Sequence, residues 1–577
     1  MIEKILIHIP NKKYLWKSAP LFFDELNLGN SKEMLSENKY ILYNTIDKFS
    51  NDKCCCNIGD YTVLIDGVIL NLKQLFLEYS CDDIPSLVIT MYKKNGGDFF
   101  KEFRGNFCGF FEDRRNQKAF AFTNHTGDKT LFYYETEAGE IYIANHVVTL
   151  TDILKKKGIN YSLDVTAAYS MLCYGYMYDS LTVIQGIKKL LPGQYMLIRE
   201  KLIDIKAYYE IDNSNELSIT ENEAIEEIDR LFLEAVKLQV EKNQQYGYDN
   251  YIPLSAGMDS RMTAYAVNRV CKKPSVNFTY SETGQFDQDI PMEIAKELGN
   301  HWIFKNLDNG LALFDIEEAT VIGDGIIYYA WPSQLNDFIK RINTQRMGVI
   351  HTGVIGDVIL GSFVNSSEVN HNYEIGQGAF SLKLIDKFKS RVKEVKYKNK
   401  EIGMLYNRGL NGATLGYALT FQQYTEAISP FMNVDFMNFC MSLPFKYRDN
   451  HYLYYKWVNK YYPEAMKYYH NGVKVPTYKW PDIKIKNKQI NIERVPSLIR
   501  NTIRNKTDQR FNMNPFDYWY RNNQDLNTFM NSYLNDNIEL LDAYQELKQD
   551  TLKLFNEGDT KEKILALSLI AIWKLLK

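Results

Sequence analysis

From about residue 250 onward, short apolar runs alternate with amphipathic ones, and no other feature of the sequence constrains the fold as strongly. YIPLS (251–255), PSVNFTY (274–280), HWIFKNL (301–307) and GVIHTGV (348–354) read as strands. Helical periodicity fills the gaps after Asp259 and through MEIAKELG (292–299). Repeated strand-then-helix order builds an open parallel sheet with helices on both faces. The region before it reads differently. YTVLIDGVIL (61–70), CGFFEDRRNQKAFAFTN (108–124) and IYIANHVVTL (141–150) are strand-like runs with turn punctuation, which predicts a β-rich layered domain. A long amphipathic helix, ITENEAIEEIDRLFLEAVKLQVEKN (219–243), with acidic residues in its first turns, opens the second region. With 577 residues the chain exceeds one hydrophobic core. The predicted division is an α/β two-domain protein, residues 1–212 and 213–577.

Composition narrows the class. Lys plus Arg total 68 against 71 for Asp plus Glu, a net charge of −3, which argues against a nucleic-acid binder dominated by phosphate contacts. The most apolar late run, ILALSLIAIW (564–573), falls far short of the ~20 residues of a membrane span. The first residues, MIEKILIHIPNKKY, carry no signal-peptide pattern, so the expectation is a cytoplasmic enzyme. Three of the eight cysteines are adjacent, Cys54-Cys55-Cys56, a spacing that suits neither a tetrahedral zinc site nor a disulfide framework. Residues 484–510 hold eight basic side chains (Lys484, Lys486, Lys488, Arg494, Arg500, Arg504, Lys506, Arg510), which read as a solvated helical face or a docking face for an acidic partner.

The turn between the first strand and helix, LSAGMDS (254–260), carries the chemistry. Strand-loop-helix geometry offers backbone N–H groups and a positive helix end to an oxyanion. Ser255 and Ser260 add hydroxyls, and Gly257 allows close approach. Asp259 repels a phosphate unless a cation lies between them, which implies Mg²⁺. The same seven residues also describe a tight turn with a capping Asp. There is no Walker lysine and no GxGxxG.

The loop resembles the SGGxDS pyrophosphate loop of the asparagine synthetase family, within the ATP pyrophosphatase superfamily, with Ala256 in place of the second residue. GVIGDVILG (353–361) resembles that family's GEGxDExxxG, and its Asp357 falls on the second Mg²⁺-binding acid. EAISPFMN (426–433) is similar to ExRxPFLD, MSLPFKYR (441–448) to the SLPxxxK-type run, and HNGVKVP (470–476) to the KxGFxxP loop. In the first region DGVILN (66–71) resembles NGEIYN, TNHTGDKTLFYY (123–134) resembles RDRxGxKPLYY, and GIKKLLPGQY (186–195) resembles GIKKLPPGHY. The likeness spans most of residues 60–480.

The resemblance implies an Ntn-hydrolase-like first domain and an adenine-nucleotide α-hydrolase-like synthetase domain. The departures are informative. Glutamine-dependent members use an N-terminal Cys as nucleophile, whereas this sequence starts Met1-Ile2 and its first Cys is Cys54. Thr123-Asn124 and Asp66-Gly67-Val68 replace RD and NGE, Val354 and Val358 replace the two Glu of GEGxDE, and Ile428 and Asn433 replace the Arg and Asp of ExRxPFLD. The expectation is a first domain without glutaminase chemistry, as in the β-lactam synthetases and lasso-peptide cyclases.

The resemblance then implies the following site. ATP lies on Leu254, Ser255, Ala256, Gly257, Asp259, Ser260, Phe278, Gly353 and Gly356, with Mg²⁺ on Asp259 and Asp357. Glu426 handles the proton of the incoming amine, and Lys474 or His470 stabilises the acyl-adenylate. The substrate bears a carboxylate and an amine, a precursor peptide being one form, with a protease or leader-binding protein as partner. Intramolecular cyclisation is the leading expectation. Intermolecular or ammonia-dependent amidation, for example of a cell-surface sugar acid, and an idle nucleotide- or peptide-binding scaffold are the alternatives. The oligomeric state is left open.

Overall fold

The computed structural model describes residues 4–9, 32–36, 39–199, 202–364, 371–393, 395–470, 472–485, 488–507, 510 and 512–577. Met1, Ile2 and Lys486 lie outside the described residues, as do the side chains of Lys484, Lys488 and Lys506.

Two six-stranded sheets occupy the first region. One contains β1 (Lys4–Ile9), β2 (Lys32–Ser36) and β3 (Lys39–Asn44); the other begins with β4 (Cys54–Ile58), β5 (Tyr61–Ile69), β6 (Gly105–Asp113) and β7 (Lys118–Thr123). The chain returns to the first sheet with β8 (Phe132–Glu135), β9 (Ile141–Ala144) and β10 (Lys188–Lys189), then completes the second with β11 (Gln194–Arg199) and β12 (Leu202–Ala207). The orders are β10-β8-β9-β1-β3-β2 and β12-β11-β7-β6-β5-β4, every pairing antiparallel.

Ile5, Ile7 and Ile41 of the first sheet meet Leu64, Cys108 and Phe110 of the second across an apolar interior. The alternate residues of each strand pack outward. Val63, Ile65 and Phe111 lie under the helices Leu72–Tyr79 and Ile84–Asn95, and Leu6, Tyr40 and Leu42 lie under Val147–Lys156 and Val165–Tyr174. Period-two alternation, buried on both faces, thus gives helix, sheet, sheet, helix. All eight cysteines are free, with Cys54, Cys55 and Cys56 alternating along β4. One expected strand is corrected. In IYIANHVVTL only Ile141–Ala144 is extended, and a helix starts at Val147, whose N–H and that of Val148 donate to Asp324 at 2.8 and 3.2 Å. Tertiary capping by a distant carboxylate overrides the β-preference of the Val-Val-Thr run.

No regular element lies between Ala207 and the helix Glu221–Gln245, which starts in a reciprocal capping box of Thr220 and Glu223. Five parallel strands follow: β13 (Asp249–Pro253), β14 (Val276–Ser281), β15 (His301–Asn306), β16 (Met347–His351) and β17 (Ala427–Ile428), ordered β15-β14-β13-β16-β17. The chain runs outward from β13 to β15 and then crosses to the other side of β13 for β16. Strand order therefore reverses between β13 and β16, and a crevice opens at their carboxyl ends. Ile564–Trp573 lies in the buried helix Thr560–Leu576; among the described residues no helix is long and apolar enough to cross a membrane.

Polar contacts join the two regions. Lys242 Nζ reaches Asp52 at 2.7 Å, Asn106 Nδ2 donates to the Ala427 carbonyl at 2.9 Å, and Gln422 Nε2 donates to the Asp128 carbonyl at 2.8 Å.

Candidate active site

The reversal point holds a cavity of about 310 Å³, walled by the loops after β13 and β16. Leu254 anchors the first loop, its N–H donating to the Phe278 carbonyl at 2.9 Å. Ser255 and Ser260 hold each other, with hydroxyls 2.9 Å apart and the Ser255 N–H donating to Ser260 Oγ at 3.0 Å. The Gly257 N–H donates to Ser255 Oγ at 3.1 Å. The helix Met258–Val270 starts at Gly257 with no side-chain cap, and Met258, Asp259 and Ser260 of its first turn line the cavity.

The second loop makes tight contact with the first. A Cβ on Gly353 would lie 2.5 Å from the Ser260 nitrogen, and one on Gly356 would lie 2.8 Å from Asp259 Cγ. Only glycine permits these approaches. Between them Ile355 adopts φ +58°, a left-handed conformation that costs a β-branched residue energy and that recurs where a site dictates backbone shape.

The two predicted acids come together here. The Asp357 N–H donates to Asp259 Oδ2 at 2.9 Å, and Tyr454 Oη donates to Asp259 Oδ1 at 2.7 Å. Burial, and then the neighbouring Asp357 charge, push the Asp259 carboxyl well above the usual carboxylate range. Ser362 Oγ donates to Asp357 Oδ2 and lies 3.0 Å from His451 Nε2. Among the described residues no third acid, His or Cys completes a protein cage here. This donor set fits Mg²⁺, which takes one or two carboxylates and fills its remaining positions with water and substrate phosphate. It fits a nucleotide equally, because an uncapped helix start and two serine hydroxyls stand beside the acids.

Leu254, Ser255, Gly257, Asp259, Ser260, Phe278, Gly353, Asp357 and His470 all line the cavity. Gly356 supports the wall against Asp259. Ala256 lies behind the loop, fully buried, and its N–H donates to Asp287 Oδ1 at 2.8 Å. Phe278 stacks on Phe338, centroids 4.7 Å apart, making one apolar wall.

Of the two loop candidates, the structure brings His470 to the cavity and leaves Lys474 away from it. His470 sits in a tight turn closed by reciprocal backbone bonds with Val473. Burial, then the Arg261 and His451 charges, hold its imidazole down to about 4, so it is neutral at pH 7. Lys474 is half exposed, with Nζ 3.6 Å from Glu493 Oε2. Glu426 also lies off the cavity lining. It is 1% exposed and pairs with Lys129 Nζ at 2.7 Å, where the first region meets β17.

Several residues at the site carry no signal in the sequence. Arg261, fully buried, donates to the carbonyls of Ala465, Tyr468, Tyr469 and Ala256, tying the loop of 465–470 to the first loop. Tyr454 is one of 42 tyrosines, and nothing in its spacing marks it. Tyr280, Tyr417 and Met513 arrive from three separate segments. Of the basic 484–510 run, the Arg494 charge adds a small part to holding His451 and His470 down, while Arg504 stacks on Phe286 at 4.7 Å.

Comparison with known proteins supplies the lineage. Residues 52–209 match the sequence model of the glutamine amidotransferase domain. Over 264 residues the chain is 26% identical to a putative glutamine-hydrolysing asparagine synthetase 2 of Methanocaldococcus jannaschii, covering 43% of this chain and 49% of that one. It is 26% identical over 183 residues to amidase chyE of Penicillium rubens, covering 31% of this chain and 25% of that protein. The chain thus spans about half, or less, of the length of these curated relatives. The glutamine phosphoribosylpyrophosphate amidotransferase from B. subtilis, complexed with ADP and GMP, aligns over 52% of this chain and 59% of that one at 11% identity. Its TM-score of 0.23 is too low for any argument from its fold. The chain carries a glutamine amidotransferase-like domain followed by a parallel five-stranded sheet, and part of it is similar at low identity to a putative asparagine synthetase.

Proposed function

We propose that this chain forms an amide bond with ATP, adenylating a substrate carboxylate and letting an amine displace AMP. The observation that carries this reading is the paired Asp259 and Asp357 beside the uncapped start of Met258–Val270, at the point where the parallel strands reverse. ATP would supply the adenylyl group, with pyrophosphate as the leaving group, and Mg²⁺ held by the two carboxylates would supply neutralising charge. The second domain is accordingly read as adenine-nucleotide α-hydrolase-like, with adenine along Leu254 and β14.

The chain's own groups do the rest. Ser255, Ser260 and the first-turn N–H groups hold phosphate oxygens. Tyr454 and the Asp357 N–H fix the orientation of the Asp259 carboxylate. His470, neutral and beside the cavity, accepts a proton from the incoming ammonium; phosphate charge nearby strengthens it as a base. Arg261 acts through position, holding the loop that carries His470. We assign Glu426 to the junction of the two regions, since Lys129 already neutralises it.

The same reading takes the amine from a source other than glutamine. Inside the first region Asp66 is held by the protein's own groups: Oδ1 accepts from Tyr43 Oη and Thr45 Oγ1, both at 3.0 Å, and Oδ2 pairs with Lys129 Nζ at 3.1 Å. Intramolecular closure of a peptide or small molecule, with the cytoplasm as its place of action, remains the form of the reaction we favour over intermolecular amidation.

Pyrophosphate release with hydroxylamine trapping, run across candidate acids, tests the proposal. The expected result is a hydroxamate from one class of acid, abolished by Asp357→Asn, and no glutamate formed from glutamine. Full activity in Asp357→Asn would overturn it.

A further inference from the structure

Beyond the cavity, two cations share one aromatic ring. Lys561 Nζ stands 3.5 Å from the Phe380 centroid, and the Arg408 guanidinium carbon stands 4.5 Å from it. Arg408 Nη1 is buried without a hydrogen-bond partner, as is the Tyr176 hydroxyl. Neither cation forms an ion pair among the described residues. The nearby acids are engaged elsewhere: Asp559 Oδ1 caps the helix Thr560–Leu576 by accepting from the Glu562 N–H at 2.9 Å, and Glu562 pairs with Lys383 at 2.6 Å. Lys561 therefore sits in the first turn of a helix, where the dipole disfavours a cation. Burial and Arg408 pull its ammonium down to about 8.

Two half-buried cations over one ring, offset only in part by the nearby Asp559 charge, are costly, and an anionic ligand would relieve that cost. The cluster does not line the cavity, but it shares a helix with one of the cavity's walls. Arg408 and Ala413 lie five apart on the π-helix Leu405–Thr414, whose bonds join residues five apart, so they share one face, and Ala413 lines the cavity. Tyr328 packs edge-on to Phe380 with centroids 5.5 Å apart. A Cβ on Gly412, beside Ala413, would lie 3.0 Å from the Tyr176 ring.

We propose that Arg408 and Lys561 bind a second anionic group of the substrate, a carboxylate or phosphate, with Phe380 and Tyr328 against an apolar or aromatic segment next to it. The anion site stands on its own geometry; its place at the far end of the activated acid rests on the adenylation reading. The chain then selects acids that carry two negative groups separated by an apolar linker.

Calorimetric titration of the full chain with phenylsuccinate, and separately with inorganic phosphate, tests this in wild type, Arg408→Gln and Lys561→Gln. Binding of the Mg²⁺ complex of a non-hydrolysable ATP analogue is measured alongside. At least one anion should bind wild type, weaken by about tenfold or more in each variant, and leave nucleotide binding unchanged. Loss confined to phenylsuccinate identifies a carboxylate site, and loss confined to phosphate identifies a phosphate site. Equal binding by all three proteins, or no anion binding by wild type, overturns the proposal. If Arg408→Gln loses its helical circular dichroism, Lys561→Gln alone decides. Wild type that binds the anion but no nucleotide keeps the anion site and overturns the adenylation reading.

Discussion

Two clusters of buried acids, one at the junction of the regions and one at the cavity, differ in charge balance. At the junction, Asp66 and Glu426 flank Lys129 at 3.1 and 2.7 Å, with Lys53 4.0 Å from Asp66. Around the cavity, the donors that Asp259 and Asp357 meet among the described residues are neutral: Tyr454, Ser362 and the Asp357 N–H. The first cluster is complete within the protein. The second is stable as two anions only when a cation joins it. Motif resemblance alone treats Glu426 and Asp357 as equivalent site residues; the charge around each separates them.

Turning the closed cluster into an open one should have the largest effect. Lys129→Met leaves Asp66 and Glu426 buried without their cation, and should cost about 3–5 kcal/mol in denaturant unfolding. A loss near zero would mean that water or Lys53 already neutralises the junction.

Acid probes both regions together. Burial holds His8 and His470 down to about 4, and His125 and His351 to about 3, so all four are neutral in the fold. Unfolded chains take up these protons from pH 6.5 downward, so this contribution is complete above about 6.5. It declines as pH falls toward 4 and then 3, by up to about 1.4 kcal/mol per pH unit for each group. Urea midpoints measured from pH 7.5 to 4 should fall steadily below 6.5. A flat profile would contradict neutral burial of these imidazoles.

The smallest effects separate the two loop candidates. His470→Gln should slow amide formation from the acyl-adenylate by at least about tenfold. Lys474→Ala, half exposed on Glu493, should change it by less than about twofold. The reverse ranking would return the role to Lys474.

Much of this was legible in the sequence, for a local reason. The strand-loop-helix pattern and the spacing of Ser255, Gly257, Asp259 and Ser260 are set within one short segment, and the same holds for Gly353 to Asp357. What was hidden depends on contacts far apart in the chain. Tyr454 reaches Asp259 across 195 positions, and Arg261 reaches the 465–469 carbonyls across more than 200. The helix at Val147 hangs on Asp324, 177 residues away. Leu405–Thr414 keeps an amphipathic pattern compatible with an ordinary helix, so its π geometry leaves no trace in the residues. The choice between His470 and Lys474 turned on which way a seven-residue loop folds, and spacing does not encode that.

The central claim is that Asp259 and Asp357 make a cation-dependent nucleotide site. It is tested most directly by calorimetric binding of a non-hydrolysable ATP analogue to wild type and Asp357→Asn, with and without Mg²⁺. Wild type should bind only with Mg²⁺, and Asp357→Asn, with repulsion removed, should bind with little dependence on the metal. Metal-independent binding by wild type would contradict the account.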